Sequence, residues 1–359
     1  MKETLMEIFN TLPGKTIVLY GASGNSKYAY ELLPRYGVKP HFFADTYSYG
    51  DSFYGLDVLS PDILMALDAE TSVCVFITCS WAHEIYKDLI ARGFSGDLYT
   101  IPTYSDEDEG MVFPLEASTF ADFLDDVNTV RKKLSDAVSK QVLDCLIDAR
   151  STYNPKGYVD AYDLSVTKSG VHQYFPSEVT NNIGEVHLVD CGAYDGDTIR
   201  LANRLNIPIE KAYCLEPDKN NFSTLVNNVG QASYIETINA GAWSTTGKLQ
   251  FIHLGNGTSH MVTTDSGESI KVYAIDDLLA GRKATYIKMD IEGSEMAALQ
   301  GAVSTITRFR PTLAICVYHK FYDITRIPLY LMKQLHGYRF LLRQHSGYQE
   351  TVLYCIPIK

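Results

Sequence analysis

The sequence predicts an α/β protein built from two Rossmann-like, doubly wound domains that a helical connector joins. Short apolar runs alternate with helical patterns through both halves of the chain, as is typical of parallel sheets covered by helices. Each half also pairs a glycine turn with a later acid: Gly21 precedes Asp45 by 24 positions, and Gly192 precedes Glu216 by the same interval. Between the halves, apolar residues recur at helical spacing over 120–150.

The length predicts more than one domain, because 359 residues are many for a single hydrophobic core. We expect a Rossmann-like domain over residues 1–105, a helical connector and cap over 106–180, and a second Rossmann-like domain over 181–359. The acidic loop 105–110 (SDEDEG) supplies a boundary between the first two.

The composition excludes several classes of protein. A formal net charge of −12 argues against a nucleic-acid substrate, because a phosphate backbone requires a basic face. No stretch approaches the roughly 18 uninterrupted apolar residues of a membrane span, and the opening MKETLMEIFNTLPGK lacks the apolar core of a signal peptide. Seven cysteines without CxxC spacing predict buried, reduced thiols. We therefore expect a cytoplasmic protein.

In the N-terminal domain, apolar runs without polar interruption predict strands that are buried on both faces. The helix that follows the GASG turn should end at Pro34, because proline cannot continue a helix. The predicted strands are 16–20, 41–45, 73–78 and 98–101, with helices before Pro13 and over 81–92.

The connector should contain helix over 120–150 and irregular chain over 151–180, which is rich in Tyr, Gly and Pro and is placed to cap the following domain. The C-terminal domain then alternates between strands and helices. Its predicted strands are 186–190, 211–215, 233–238, 284–290, 312–317, 338–342 and 351–356; its helices are 195–205, 218–229, one from 294, and 328–335; and a polar strand pair, 248–253 and 269–274, flanks the loop 255–260.

The segment VDCGAYDGDT (189–198) carries the strongest functional signal. Asp190 should lie at the carboxyl end of a strand, where open α/β sheets bind ligands, and Gly192 and Gly196 allow the backbone to approach a ligand closely. An acid there would repel a pyrophosphate but suits a ligand with an ammonium and a sulfonium group. Glu216 ends the next strand, where an acid can accept both ribose hydroxyls. The combination favours S-adenosylmethionine over NAD, although the two glycines alone are also compatible with an ordinary strand-to-helix turn.

Five motifs in order carry a family resemblance: VDCGAYDGDT, CLEPD, NAGAWS, MDIEGSE and VYHK. Together, from about Gln173 to the C-terminus, they resemble the FkbM family of S-adenosylmethionine-dependent methyltransferases. The resemblance implies a class I methyltransferase sheet with an antiparallel last strand, S-adenosylmethionine as cofactor, and methyl transfer to oxygen. It also implies that Gly241, Ala242 and Trp243 border the adenine, although Trp243 is equally compatible with a place in the core. The candidate cofactor-binding residues are Asp190, Gly192, Ala193, Tyr194, Asp195, Gly196, Thr198, Glu216, Pro217, Gly241, Ala242 and Trp243.

The candidate catalytic residues are Asp290, Glu292 and His319. The two acids end a strand beside the first one, and their side chains would point the same way if the strand continued. Either acid could orient the methionine group or the acceptor, and both together could bind a divalent cation, although no metal site is predicted. His319 follows another strand at the same edge and is our candidate for the general base.

Each of these assignments has a structural alternative. Glu292 or Ser294 could cap the next helix, and Glu295 suits the positive end of that helix without a catalytic role. His319 could be a structural histidine, in which case His260 in the GNGTSH loop is a weaker candidate for the base.

The N-terminal stretch from GASGNSK through FFAD to YGLDVLSP is similar to the nucleotide-sugar-binding domain of bacterial sugar acyltransferases. This likeness implies a nucleotide sugar as a further ligand and a small-molecule or glycan hydroxyl as the methyl acceptor. Alternatively, the domain is an empty scaffold for docking or for a homodimer. Two rival functions also remain, an NAD-dependent or sugar-nucleotide enzyme that uses the N-terminal turn and a non-catalytic module that binds adenosyl ligands.

Overall fold

The fold consists of two α/β units with mainly parallel sheets and interleaved helices, as the sequence predicts. The computed structural model describes residues 2–79, 81–100, 117–181, 183–253, 259–262, 268–347 and 349–358. The acidic loop 105–110, which we take as a domain boundary, lies outside them.

The N-terminal sheet has the order β3-β4-β2-β1-β5-β6, and all its pairings are parallel except that of β3 with β4. Its strands are β1 (Thr16–Tyr20), β2 (Phe42–Ala44), β3 (Ser52–Phe53), β4 (Leu56–Leu59), β5 (Val73–Ile77) and β6 (Asp97–Thr100). Its helices are α1 (Lys2–Asn10), α2 (Gly24–Leu32), which a 3₁₀ turn at Leu33–Tyr36 extends, α3 (Pro61–Glu70) and α4 (Ala82–Ala91). Every residue of β5 is buried, as expected for a strand covered by helices on both faces.

The connector is more helical than the sequence suggests. It comprises α5 (Ala117–Lys133), α6 (Ala137–Thr152), α7 (Lys156–Ser169) and α8 (Ser177–Thr180). The predicted helical stretch is interrupted because Asp136 starts a new helix: its Oδ1 accepts a hydrogen bond from the Ser139 N–H at 2.6 Å.

The prediction of irregular chain over 151–180 is wrong for α7. Pro155 stands at the start of this helix, where no backbone N–H is needed. Gly157 lies inside the helix because α6 passes so close that a Cβ would lie 2.5 Å from the Cys145 carbonyl oxygen. Here Pro155 begins the helix and Gly157 allows close packing, although proline and glycine commonly indicate a loop.

The C-terminal domain contains a seven-stranded sheet with the order β16-β17-β15-β14-β7-β8-β9. The strands of this domain are β7 (Val186–Cys191), β8 (Ile209–Leu215), β9 (Ile235–Ile238), β10 (Gly241–Ala242), β11 (Gly247–His253), β12 (Ser259–Val262), β13 (Glu268–Tyr273), β14 (Tyr286–Met289), β15 (Thr312–Cys316), β16 (Tyr338–Gln344) and β17 (Thr351–Pro357). The helices are α9 (Asp197–Arg204), α10 (Lys219–Val229), α11 (Ile275–Leu279), α12 (Glu295–Gln300), α13 (Val303–Phe309) and α14 (Asp323–Gln334). The last strand, β17, runs antiparallel to β15 and β16, which confirms the prediction.

A second, four-stranded sheet of order β10-β13-β11-β12 contains the predicted polar pair as β11 and β13. All seven cysteines are free, and Cys74, Cys191, Cys214, Cys316 and Cys355 are buried. Within the described residues, no helix combines the length and the apolar character needed to cross a bilayer.

A buried arginine fastens the connector to the C-terminal sheet. Arg343 of β16 has no exposed surface, and its Nη2 donates to Asp136 Oδ2 and Glu178 Oε1, each at 2.6 Å. Its Nη1 and Nε donate to the hydroxyls of Ser139 at 2.7 Å and Ser169 at 2.5 Å. One planar guanidinium thus connects α6, α7 and α8 to the sheet.

Arg343→Lys is expected to lower the free energy of unfolding by about 1–3 kcal/mol, because an ammonium cannot reach all four acceptors and leaves a buried one unsatisfied. Urea denaturation followed by circular dichroism measures this loss. Arg339→Lys, on the exposed face of the same strand, is the matched control and should change stability by less than about 0.5 kcal/mol. Equal effects at the two positions would contradict the connecting role.

Candidate functional site

The glycine turn after β7 brings three strand ends into contact. Gly192 has φ +78°, and a Cβ at this position would lie 1.8 Å from the carbonyl oxygen of Asp290, which follows β14. Its N–H donates to the carbonyl of Leu215, the last residue of β8, at 3.0 Å. Gly196, with φ +87°, begins α9 and lies against Val229. Only glycine fits at Gly192, so the backbone itself forms the surface of the crevice here.

Glu216 lies directly beside this turn, as the sequence predicts. Its Oε2 accepts a hydrogen bond from the Tyr194 N–H, and its Oε1 accepts one from the Asp218 N–H, both at 2.9 Å. Burial raises the pKa of the carboxyl to about 7, although the two N–H groups oppose the shift. Each oxygen keeps a second lone pair, so the carboxylate is held in place and can still accept hydrogen bonds from a ligand.

Asp190 forms a buried ion pair with a lysine that the sequence analysis did not select. Lys288 of β14 is the direct register partner of Asp190 in β7, and its Nζ lies 3.1 Å from Asp190 Oδ1. The same Nζ donates to the carbonyl of Gly192 at 2.6 Å. Asp190 is completely buried and Lys288 nearly so. Burial raises the pKa of Asp190 to about 6, while the charge of Lys288 acts against this shift.

This geometry differs from the contact with an ammonium group, direct or through water, that the sequence suggests for Asp190. The carboxylate faces Lys288, and Lys288 fixes the carbonyl of the glycine turn. Asp190 therefore acts on the glycine turn indirectly, through Lys288.

The remaining candidates for the cofactor site surround the same turn. Tyr194 has φ +47° and is 54% exposed, whereas Ala193 and Thr198 are buried. Asp195 is paired with Arg200, whose Nη2 lies 2.8 and 2.9 Å from the two carboxylate oxygens. Pro217 follows Glu216 and is half-buried.

The NAGAWS segment follows β9, next to Glu216. The Asn239 side chain donates to the carbonyls of Glu216 at 2.9 Å and Pro217 at 3.1 Å. Gly241 and Ala242 are buried in β10. Trp243 packs against Ile270 and Val272 of the small sheet, a core role that the sequence left open.

The three candidate catalytic side chains and Glu295 converge where β14 and β15 end. His319 Nε2 lies 3.2 Å from Asp290 Oδ1 and 3.8 Å from Glu292 Oε2, and its Nδ1 lies 2.9 Å from Glu295 Oε1. The strand does not continue through the two acids as supposed, because β14 ends at Met289 and Glu292 has φ +54°. Positive φ at a non-glycine residue is costly, and such strain is common at functional sites.

The surroundings of His319 differ from those of a neutral base. Burial alone would lower the pKa of His319, but the charges of Glu295, Asp290 and Glu292 raise it well above its usual range. The three carboxylates therefore favour the protonated ring, whereas a general base must be neutral to accept a proton. Glu295, assigned only to the helix start, is completely buried; its Oε1 accepts from the Ile291 N–H at 2.9 Å and contacts the His319 ring.

Two phenols and a further acid extend this cluster. Tyr174, from the QYFP segment, donates its hydroxyl to Asp290 Oδ2 at 2.8 Å, and Tyr318 donates to Asp290 Oδ1 at 3.2 Å. Tyr318 also lies 3.3 Å from Glu350 Oε1, and burial raises the pKa of Glu350 to about 7. None of the three was a sequence candidate. The only signal for Tyr174 was its place in the segment 151–180, which we expected to cap this domain.

Residues 190–340 match the family model of the methyltransferase FkbM domain. The chain contains an FkbM methyltransferase domain. The solved structure of methyltransferase FkbM from Methylobacillus flagellatus KT is similar over 98% of this chain and 93% of that chain, with a TM-score of 0.72 and 23% sequence identity. Its fold therefore extends over both α/β units and the connector.

Two other solved structures are similar only in part. An rRNA methylase from Streptococcus thermophilus is 13% identical and covers 49% of this chain and 88% of its own, with a TM-score of 0.33. A methyltransferase from Geobacter sulfurreducens is 13% identical, and the similarity covers 69% of this chain and 100% of that chain, with a TM-score of 0.30. No curated protein matches the chain significantly.

An FkbM methyltransferase uses S-adenosylmethionine as methyl donor, and the residues of this domain fit an adenosyl ligand. At Gly192 there is no room for a side chain, so a ligand can approach the turn backbone directly. Beside the turn, Glu216 presents a carboxylate whose orientation two backbone N–H groups fix.

The N-terminal turn repeats this arrangement. Asp45 Oδ2 accepts from the Ala22 N–H at 3.0 Å, and Oδ1 accepts from the Tyr47 and Ser48 N–H groups at 2.9 Å. In both domains, then, the acid after the second strand binds an N–H of the glycine turn, which accounts for the equal sequence intervals. In a dinucleotide-binding turn, such an N–H donates to the pyrophosphate. Here the N–H of Ala22 donates to the Asp45 carboxylate instead.

A cavity of about 400 Å³ lies elsewhere in the C-terminal domain. Val186, Tyr286 and Thr312, which line it, are the first residues of three parallel strands. It therefore opens at the amino edge of the sheet. Open α/β sheets bind their ligands at the opposite edge, where the glycine turn lies.

Proposed function

We propose that the FkbM domain transfers a methyl group from S-adenosylmethionine to a hydroxyl of a sugar or glycan intermediate. The observation that carries the donor assignment is the Glu216 carboxylate held against the Gly192 turn. The sulfonium of the donor supplies an already activated methyl group for in-line displacement.

In this proposal the donor lies across the ends of β7 and β8. Glu216 accepts hydrogen bonds from the two ribose hydroxyls, and the backbone of Gly192, Ala193 and Gly196 borders the methionine part. Asp190 acts through Lys288, which fixes the Gly192 carbonyl. The segment at Gly241–Ala242 borders the adenine.

Glu292 contacts the acceptor. Its side chain is 41% exposed, against 24% for Asp290 and 5% for His319, so it is the most accessible of the three candidate catalytic groups. It accepts a hydrogen bond from the acceptor hydroxyl and takes its proton as the O–C bond forms and the S–C bond breaks. Asp290 and His319 hold Glu292 and its turn in place.

Positioning supplies more of the rate than proton transfer does. Pre-orientation of two reactants is worth up to about 7–11 kcal/mol, whereas a general base adds about 10²–10⁴-fold, or roughly 3–5 kcal/mol. We therefore expect Glu292→Gln to reduce kcat without abolishing methyl transfer.

The sugar assignment depends on the N-terminal domain. Its likeness to nucleotide-sugar-binding domains supports a sugar acceptor, and Tyr47 and Trp81, 92% and 67% exposed, offer aromatic faces after β2 and β5. A panel of nucleotide sugars, free sugars and non-sugar alcohols, analysed by mass spectrometry after incubation with S-adenosylmethionine, tests this assignment. Methylation of a sugar-bearing acceptor is the expected result, and methylation of the other alcohols alone would contradict it.

Glu216→Gln should weaken S-adenosylhomocysteine binding about 10-fold to 100-fold at pH 8, because hydrogen bonds to a charged acceptor are worth about 1.5–3 kcal/mol. The wild-type affinity should also fall as the pH drops through about 7, the pKa of Glu216, because protonation removes the charged acceptor. Isothermal titration calorimetry measures both effects. Glu236→Gln, a partly exposed acid on β9, is the control; similar losses in both variants, or a pH dependence that persists in Glu216→Gln, would contradict the ribose contact.

A further inference from the structure

We infer that Asp290, Glu295 and His319 bind one divalent transition-metal ion. This inference concerns metal binding and does not depend on the identity of the methyl acceptor. It goes beyond the methyl-donor site, which lies at the neighbouring strand ends.

The donor atoms are already close together. One ligand atom from each of Asp290, Glu295 and His319 lies within 4.8 Å of the others. Neighbouring ligands of an ion bound at about 2.1 Å stand roughly 3 Å apart, so only small side-chain movements are needed.

The histidine is oriented as metal-binding histidines are. Its Nδ1 faces Glu295 at 2.9 Å and its Nε2 faces Asp290 at 3.2 Å. Each ring nitrogen thus faces a carboxylate oxygen of the proposed donor set, so either nitrogen can bind an ion together with a carboxylate. The ring is 5% exposed and cannot turn freely.

A separate observation concerns the Glu295 carboxylate. This side chain is completely buried, and among the described residues its Oε2 has no hydrogen-bond partner. A buried carboxylate oxygen without a partner is costly, and in native proteins such an atom commonly contacts a water or an ion. The other oxygen of the same carboxylate contacts His319, so the orphaned atom belongs to the same cluster.

The local charge favours a cation. Three carboxylates, those of Asp290, Glu292 and Glu295, surround the His319 ring. Buried charges are tolerated when they are paired or coordinate a metal. A divalent ion would supply charge of the opposite sign where the carboxylates converge.

The donor set favours a transition metal over Mg²⁺ or Ca²⁺. Carboxylates alone suit Mg²⁺, Ca²⁺ and Mn²⁺, whereas an imidazole nitrogen suits Zn²⁺, Fe²⁺, Ni²⁺ and Cu²⁺, so a mixed set favours a transition metal that accepts both kinds of ligand. A second group, Asp290, Cys316 and Glu350, is also close together. In that group, both oxygens of the Glu350 carboxylate already accept hydrogen bonds, from Gln173 and Tyr318.

Titration of the full chain with Mn²⁺ tests the inference, with free Mn²⁺ followed by electron paramagnetic resonance after removal of bound metal with a chelator. The expected result is one saturable site per chain and, in pulsed spectra of the bound ion, coupling to an imidazole nitrogen. Absence of saturable binding, or bound Mn²⁺ without a nitrogen coupling, would overturn the inference. Both readouts use the wild-type protein and so do not depend on the folding of any variant.

Variants then assign the ligands. Glu295→Gln and His319→Gln should each weaken Mn²⁺ binding at least 10-fold, whereas Asp323→Asn, which removes a neighbouring buried acid outside the donor set, should weaken it less than about threefold. Undiminished binding in both ligand variants would overturn the assignment. S-adenosylhomocysteine binding is measured in parallel to distinguish the metal site from the donor site. A variant that loses Mn²⁺ binding but keeps S-adenosylhomocysteine binding is altered at the metal site alone.

Discussion

Lys288→Met is expected to lower the free energy of unfolding at pH 8 by about 3–5 kcal/mol, the usual cost of leaving one member of a buried ion pair without its partner. Asp190 is completely buried, and its carboxylate would lose the ammonium that lies 3.1 Å away. The loss should be smaller at pH 5, because a protonated Asp190 no longer needs a counter-charge. Urea denaturation at the two pH values measures it.

Two further variants make this result specific. Asp190→Leu combined with Lys288→Met should recover most of the loss, since apolar residues of similar volume often replace a buried pair without penalty. Lys271→Met, on an exposed position of β13, should have little effect. If the double variant were as unstable as the sum of the single ones, Lys288 would stabilise the fold through something other than Asp190.

Gly192→Ala should destabilise the domain by about 2–5 kcal/mol and weaken S-adenosylhomocysteine binding more than 10-fold. The new Cβ would meet the Asp290 carbonyl oxygen at 1.8 Å, so β7 and β14 must move apart. Overpacking of this kind costs about 1–3 kcal/mol, and an alanine with positive φ adds about 1–2 kcal/mol. Thermal denaturation and calorimetric titration measure the two effects.

Variants at two other glycines distinguish overpacking from backbone strain. Gly37 has φ +77°, and no atom lies within 4 Å of the place that a Cβ would take, so Gly37→Ala reports backbone strain alone, about 1–2 kcal/mol. Gly184 has neither positive φ nor a close neighbour, and Gly184→Ala should be neutral. An effect at Gly192 no larger than that at Gly37 would show that the close approach to Asp290 is unimportant.

Features determined by local chemistry could be predicted from the sequence. Uninterrupted apolar runs indicated the strands, and the spacing from Gly192 to Glu216 placed an acid beside the turn, where the structure has it. The antiparallel last strand came from the family resemblance, since no local pattern specifies the direction of a strand.

Features that depend on register or on distant neighbours could not be predicted. Lys288 faces Asp190 because β7 and β14 pair in one particular register, although almost a hundred residues separate them in the chain. His319 was a plausible neutral base until three carboxylates were found around its ring. Gly157 resembled a loop residue, but its role is to let α6 and α7 approach closely.

A crystal structure of the protein with S-adenosylhomocysteine would test the donor site most directly. Electron density for the adenosyl ligand should cross the Gly192 turn, with both ribose hydroxyls within hydrogen-bonding distance of the Glu216 carboxylate. Density for the ligand in the N-terminal crevice beside Asp45, or a ribose that leaves Glu216 without contact, would contradict the account.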